Sequence, residues 1–296
     1  MPELPEVESV VRSLRPNIEG KIIEEVDVVL HDLTPQGGVY FKEMIEGSMI
    51  TGIDRRGKYI IIDLLDGDNN ELKLICHLRM TGKLIYKEGG TAELGSNLRY
   101  AFIHIKLDTG WLFFCEVRKF GYMEVFTAEE METSTSISKL GPEPFSEDFD
   151  EFVKRFRTKK KYSGSFIKSS LLDQELIAGI GNIYADETLH ASGIHPSTYG
   201  YMITDEDLRN IWNNTRKIME RSIAAGGTSI SDYEDGNGNR GTFAEQLKVY
   251  GRTECGTCGN ELQAFNLKGR MTRSCLNCQP VRKDQQIEKP QGEVTV

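Results

Sequence analysis

Four cysteines in two Cys-x2-Cys pairs, Cys255/Cys258 and Cys275/Cys278, separated by sixteen residues, constrain the C-terminal region more than any other feature. Each pair can bring two thiolates to one metal through a tight turn, which Gly259 helps to form. Four thiolates match the tetrahedral preference of Zn2+. Two disulfides are the alternative, but nothing in the chain points to secretion, so zinc is favoured. No ligand position is left open, so the expected Zn2+ is structural. A ribbon this small has little core, and metal binding would supply much of its folding energy. Gly269-Arg270-Met271-Thr272-Arg273 lies between the pairs and reads as a hairpin tip carrying two arginines. Cys76 and Cys115 sit in apolar strands and read as buried free thiols.

Ahead of the ribbon the chain changes character once. Val7, Val10, Val11 and Leu14 recur at helical spacing, and Pro16 then Gly20 are expected to end that helix. β-Branched and aromatic segments follow at residues 22–30, 58–65, 72–79, 99–107, 111–117 and 121–126. Turn clusters such as Asp66-Gly67-Asp68-Asn69-Asn70 and Asp108-Thr109-Gly110 separate many of them. Short hairpin-linked strands predict a sandwich or barrel. Past Leu140-Gly141-Pro142-Glu143-Pro144 the segments read as helices. Thr204 is a plausible N-cap for a helix whose face is Leu208, Ile211, Trp212, Thr215, Ile218, Met219 and Ile223, stopped by Gly226-Gly227. Residues 227–242 are rich in Gly, Asn, Asp and Ser and read as a mobile loop. The tail after Lys283 reads as disordered.

Charge divides the same way. The 45 Asp+Glu and 36 Lys+Arg give a net of −9, which argues against a uniformly basic surface. Residues 1–150 hold 16 Lys+Arg against 27 Asp+Glu, and residues 151–296 hold 20 against 18. The second half is therefore where an anionic partner is more plausible. Lys154–Lys168 carries seven basic residues and no acid, and residues 240–283 carry eight against three. Either run alone is more simply a solvated face. No apolar run is long enough to span a bilayer, and no signal-peptide pattern opens the chain, so a cytoplasmic protein without a membrane partner is expected.

The opening Met1-Pro2-Glu3-Leu4-Pro5-Glu6-Val7-Glu8 is, taken alone, a Pro-led helix start with acids favoured by the helix dipole. A small second residue usually permits loss of Met1, which would expose a secondary amine. An α-amino group has a pKa of roughly 8, so a useful fraction is unprotonated near neutrality. Such an amine can attack an electrophilic carbon and form an iminium. Taken with Gly57-Lys58-Tyr59, His77-Leu78-Arg79-Met80, Val117-Arg118-Lys119-Phe120-Gly121, Leu140–Pro144, Leu171–Gln174, Ala178–Glu187, Val249–Arg252 and the four cysteines, the chain strongly resembles the formamidopyrimidine-DNA glycosylases, bacterial repair enzymes for oxidised purines. The resemblance runs in order from Pro2 to about Gln279.

That resemblance implies an α+β multidomain fold. Its parts would be an N-terminal β-sandwich catalytic domain with an N-terminal helix at 1–140 and a linker at 141–155. A helix–two-turns–helix domain at 156–248 would follow, with a lesion-covering loop at 228–241, then a zinc hairpin at 249–283 and a tail at 284–296. It implies glycosidic cleavage in damaged duplex DNA followed by β,δ-elimination, by a monomer. Pro2 would be the nucleophile at C1′ and Glu3 the general acid for sugar opening. Lys58 would assist elimination, and Arg270 would grip the lesion's phosphates, which suits its bidentate fork. Glu6 would position groups near the site. The damaged base must leave the stack, and Met80, Arg118 and Phe120 match the trio that fills the void. Asn182 and Lys168 match phosphate contacts, as does one of Lys159–Lys161, taken as Lys160. Tyr100-Ala101-Phe102 stands where the family often has a DNA-contacting His-x-His, so Tyr100 is taken as the DNA-binding residue there; Glu116 stands where the family usually has Asp, and Ser231 where a basic residue is common. Residues 162–166 read as a short insertion. Two rivals remain: an endonuclease VIII-type enzyme for oxidised pyrimidines, and a non-catalytic damaged-DNA-binding relative.

Overall fold

The computed structural model describes residues 1–133, 136–230 and 233–282. The tail expected at 284–296 lies outside the described residues. The chain forms two compact units. The first comprises Met1–Ser138 with Ser222–Ala244, and the second Lys139–Arg221 with the chain from Glu245 onward.

The first unit is an antiparallel β-sandwich with a helix in its core. Helix α1 (Leu4–Ile18) leads to β1 (Ile23–Val28), α2 (Gly38–Ile45), β2 (Met49–Arg56), β3 (Tyr59–Leu65), β4 (Glu71–His77), β5 (Gly82–Lys87), β6 (Ala101–Leu107), β7 (Trp111–Glu116), β8 (Tyr122–Thr127) and α3 (Ala128–Thr133). One sheet runs β1-β6-β7-β5 and the other β2-β3-β4-β8. Strict alternation along β3 and β6 turns one face of each strand inward. Val7, Val10, Val11, Leu14 and Ile18 of α1 share one buried cluster with Ile60, Ile62, Leu74, Ile103, Phe114 and Val125. The fold class read from the sequence is the one observed.

Three local expectations need correction. Pro16 does not end α1; it sits in the last turn, and the chain leaves the helix only after Ile18. The φ that proline enforces is helical, and the hydrogen bond it removes lies near a terminus, where loss is cheap. The sequence reading also passed over β2 and β5. Met49–Arg56 is interrupted by Gly52 and ends in charges, and Gly82–Lys87 is short and flanked by lysines, so neither alternates cleanly.

The second unit is helical and ends in a hairpin. Its elements are α4 (Phe149–Thr158), α5 (Lys160–Ser163), α6 (Ile167–Leu171), α7 (Asn182–Ala191), α8 (Asp205–Ala224, its last turn crossing into the first unit), β9 (Gln263–Leu267) and β10 (Arg270–Ser274). Helix α4 begins within the stretch read as linker. Phe152, Phe156, Tyr162, Ile167, Leu171, Tyr184, Leu208, Ile211 and Trp212 are buried. The start of α8 is a capping box: Thr204 N donates to Asp207 at 2.8 Å and Asp207 N to Thr204 Oγ1 at 3.1 Å.

Antiparallel register brings Tyr59, His77 and Tyr122 side by side at one end of the second sheet. The His77 ring meets Tyr59 edge-on at 4.6 Å and stacks on Tyr122 at 5.8 Å, while Nδ1 accepts the Arg79 amide at 3.0 Å. Burial, reinforced by the nearby Arg79 and Lys58 cations, pushes the imidazole down to about 3. A depressed histidine pKa gives stability that is full above the unfolded value and lost as pH falls towards the folded one. Between pH 7 and pH 5 the unfolded state takes up this proton and the folded state does not, a loss of about 2 kcal/mol. His77→Gln is expected to flatten the fall in the urea midpoint over that range; an unchanged slope would show that the ring titrates freely.

Candidate functional site

The first unit holds the N-terminal residues. Pro2, Glu3 and Glu6 are buried, both carboxylates being 1% exposed. Glu3 is the N-cap of α1, and Glu6 Oε2 accepts its amide at 2.9 Å, one half of a capping box. The other Glu6 oxygen accepts the Thr228 amide at 2.8 Å. The Tyr233 hydroxyl lies 3.0 Å from the Glu6 carbonyl oxygen and 3.2 Å from that of Gly226. Burial raises the Tyr233 phenol well above its ordinary range, so it stays a donor. The root of the loop expected at 228–241 is thereby fixed to the turn that carries Pro2 and Glu3. Residues 231 and 232, including the Ser231 departure, lie outside the described residues.

Lys58 occupies the β2–β3 turn and is 8% exposed. Arg55 connects this turn to α1: its Nε meets Glu8 at 3.0 Å and its Nη1 donates to the Gly57 carbonyl at 3.1 Å. Burial works against the Glu8 charge, but bonds from Arg12 and Arg55 outweigh it and hold the carboxyl below its usual value.

Met80, Arg118 and Phe120 come together at the sheet end marked by His77 and Tyr122. Arg118 Nη1 lies 3.1 Å from Met80 Sδ, and its guanidinium sits 5.0 Å above the Phe120 ring. Met80 is 43% and Phe120 56% exposed. Large apolar side chains left in water beside a cation form a wedge without a protein partner. In sequence Glu116 stands out only as a departure from the usual Asp; the structure gives it a task. Its carboxylate, fully buried, accepts the Thr81 hydroxyl, the Arg118 amide at 3.1 Å and the Gly121 amide at 2.7 Å. It ties the loop after Met80 to the turn bearing Arg118 and Phe120. Gly121 permits this approach, because a Cβ there would stand 2.6 Å from Glu116 Oε2. Tyr100 lies elsewhere in the unit, half-buried against the cluster of Ile85, Leu94 and Phe113, with Arg99 over its ring at 4.7 Å.

The second unit holds the other half of the expected residues. Lys159 pairs with Glu175 at 3.0 Å and Lys161 with Asp173 at 2.7 Å. Lys160, between them, is exposed and has no ion pair among the described residues. Lys168 is 1% exposed in its side chain; its ammonium meets Asp186 at 2.7 Å, Thr272 Oγ1 at 2.8 Å and the Met271 carbonyl at 3.2 Å. Asn182 opens α7, and its Nδ2 donates to the same Met271 carbonyl at 3.0 Å. Burial raises Asp186 to about 7 despite the ammonium beside it. These contacts seat β10 on α6 and α7, with Arg270 exposed at its start. Glu187, next to Asp186, accepts the amides of Lys248, Val249 and Tyr250, each at 2.8 Å, and fixes the entry to the cysteine ribbon. Neither acid was assigned a role from sequence; two carboxylates inside the apolar run of α7 were the available signal.

All four ribbon cysteines are unpaired thiols, and their sulfur atoms lie within 4.8 Å of one another. Cys255 and Cys278 are 3.9 Å apart and Cys258 and Cys275 3.5 Å. Tetrahedral coordination with metal–sulfur bonds of ~2.3 Å requires sulfurs ~3.8 Å apart, so the group fits one metal ion. The described residues contain no helix long and apolar enough to cross a membrane.

Residues 1–123 match the model for the formamidopyrimidine-DNA glycosylase N-terminal domain, and residues 140–234 that for the formamidopyrimidine-DNA glycosylase H2TH domain. The formamidopyrimidine-DNA glycosylase of Desulfitobacterium hafniense is 39% identical over 285 residues, spanning 94% of this chain and 100% of the relative. Among solved structures, a Lactococcus lactis Fpg mutant in complex with Fapy-dG-containing DNA superimposes with a TM-score of 0.85 at 33% identity, covering 95% of this chain and 100% of that one. The complex of L. lactis Fpg with abasic-site DNA gives 0.84 at 33% identity, over 94% and 100%.

Removing the Glu116 carboxylate leaves a buried amide without an acceptor. Glu116→Ala is expected to cost about 2–4 kcal/mol in urea unfolding, with amide exchange at residues 117–121 accelerating first. A loss within the ordinary surface range of about 0.5 kcal/mol would mean the turn holds itself.

Proposed function

Because the chain belongs to the formamidopyrimidine-DNA glycosylase family, we propose that it removes oxidised purines from duplex DNA and then cuts the strand at the resulting abasic site. The observation that carries this is the buried Pro2-Glu3 turn, locked by Glu6 at the head of a core helix. Burying two carboxylates at a chain start is costly and needs a reason. With Met1 in place the Pro2 nitrogen is a tertiary amide. Its removal yields a secondary amine, and that nitrogen attacks C1′ while the base departs. The sugar ring opens with a proton from Glu3, and the resulting iminium joins protein to DNA. That iminium makes the C2′ proton acidic, so the 3′ and then the 5′ phosphate leave by β,δ-elimination, assisted by Lys58 and Arg270. Water then releases Pro2.

Met80, Arg118 and Phe120 fill the gap left by the extruded nucleotide. Lys160 and Asn182 contact phosphate. Lys168, bonded inside the protein, supports Arg270 from beneath. Cys255, Cys258, Cys275 and Cys278 hold one structural Zn2+, which takes no part in the chemistry. The sequence divisions at 1–140, 156–248 and 249–283 remain the working domain assignment, and the protein acts as a cytoplasmic monomer.

Borohydride reduces an iminium to a stable amine. Protein verified by mass spectrometry to lack Met1 is expected to give a trapped band with a duplex carrying 8-oxoguanine, and Pro2→Gly to give far less. Absence of the band with any oxidised purine would refute the enzyme reading, and faster cutting at thymine glycol would favour the pyrimidine enzyme. Metal analysis is expected to find one zinc per chain. Chelation should abolish lesion-DNA binding while leaving the β-sandwich's cooperative unfolding intact; binding that survives metal removal would contradict the structural role.

A further inference from the structure

Beyond its root, the loop is fastened a second time to the first unit. Lys83 Nζ, on β5, lies 2.9 Å from Glu234 Oε2 and 3.3 Å from Asn97 Oδ1. The Lys83 side chain is 11% exposed and that of Glu234 27%, so neither charge is fully hydrated and screening between them is reduced. Tyr233 and Glu234 are adjacent, and they tie the limb to two different elements, α1 and β5. A limb held at two such points cannot swing about either one.

The following residues continue the attachment. Gly236 N donates to Ser13 Oγ at 2.8 Å, and Tyr86 N donates to the Gly236 carbonyl at 2.9 Å. A Cβ at Gly236 would stand 2.4 Å from Leu14 Cγ, so the backbone lies directly on α1. Asp235 accepts the amides of Asn237 and Asn239 at 2.9 and 2.8 Å, making residues 235–239 a self-contained turn. These bonds are neutral or local. The Lys83–Glu234 pair joins opposite charges across 151 residues of sequence.

We propose that the Lys83–Glu234 pair is a specificity-determining positioning element that fixes the loop for recognition of the damaged base. The inference rests on the excision of oxidised purines given under Proposed function and on the lesion-covering role that the family resemblance implies for the loop at 228–241. A preformed abasic site has no base to cover, so excision should depend on the pair and abasic-site cutting should not.

Lys83→Met keeps the aliphatic stem and removes the charge. It is expected to lower kcat/KM roughly three- to tenfold on an 8-oxoguanine duplex, with abasic-site cutting within about twofold of wild type. Glu234→Gln should match it, the double variant should be no worse than either, and Lys83→Arg should retain activity. Amide exchange over residues 233–241 should accelerate in Lys83→Met while β5 and β7 stay protected. Unchanged exchange would overturn the clamp. Faster exchange with equal losses on both substrates would overturn the specificity role. If wild type itself excises no oxidised purine, the proposed function fails and takes the specificity role with it, whereas the exchange measurement still decides the clamp.

Discussion

The Glu6 carboxylate is the group on which the arrangement of the first unit's functional end depends. Taking a carboxylate out of water costs several kcal/mol unless donors replace the lost hydration. Here the Glu3 and Thr228 amides do so, at 2.9 and 2.8 Å, and the N-terminal end of α1 adds a favourable dipole. One oxygen fixes the turn carrying Pro2, and the other fixes the first residue of the loop. The two segments are 222 residues apart, yet their backbones are positioned by a single planar group. A glutamine there would offer a donor to one of two donors, so the chemistry requires the acid.

Around that point the sandwich acts as a frame. Val7, Val10, Val11 and Leu14 bury α1 between the sheets, which removes its freedom to slide. Arg55 then joins Glu8 to the Gly57 carbonyl, so the Lys58 turn is referenced to the same helix. The β3–β4–β8 register sets the other boundary by aligning Tyr59, His77 and Tyr122, and Glu116 stitches the two loops that continue beyond those strand ends. Met80 adjoins Thr81, and Arg118 and Phe120 lie between Glu116 and Gly121, so the exposed trio is flanked by the groups that the Glu116 carboxylate ties together.

What could be read from the sequence divides along the same line. Helical periodicity located α1 and α8 through their apolar faces, and β-branched and aromatic runs between turn clusters located six strands. Motif spacing located the cysteine quartet because tetrahedral geometry leaves few alternatives. It could not locate β2 or β5, whose apolar positions are broken by Gly52 and by Lys83. Nor could it reveal Asp186 or Glu187, whose work is to satisfy distant amides, or Glu116, which binds the distant Thr81 hydroxyl along with the nearby Arg118 and Gly121 amides. Local sequence contains no trace of partners that only the tertiary fold brings within 3 Å. Lys168 is the clearest instance: a lysine in a basic run reads as a surface cation, and only the packing of β10 on α6 and α7 turns it into an internal prop.

Net charge is for the same reason a poor guide to what this surface can bind. Several of the cations that sequence would count are already paired: Lys73 with Asp63, Lys106 with Glu24, Lys159 with Glu175, Lys161 with Asp173 and Lys168 with Asp186. Lys160, Arg118 and Arg270 have no ion pair among the described residues. A phosphate gains most from cations that no carboxylate already holds, and a buried pair such as Lys168–Asp186 is withheld from it altogether. The acidic excess of −9 therefore does not by itself oppose an anionic partner; some of its carboxylates hold lysines such as Lys168 in structural roles, while cations such as Lys160, Arg118 and Arg270 stay available.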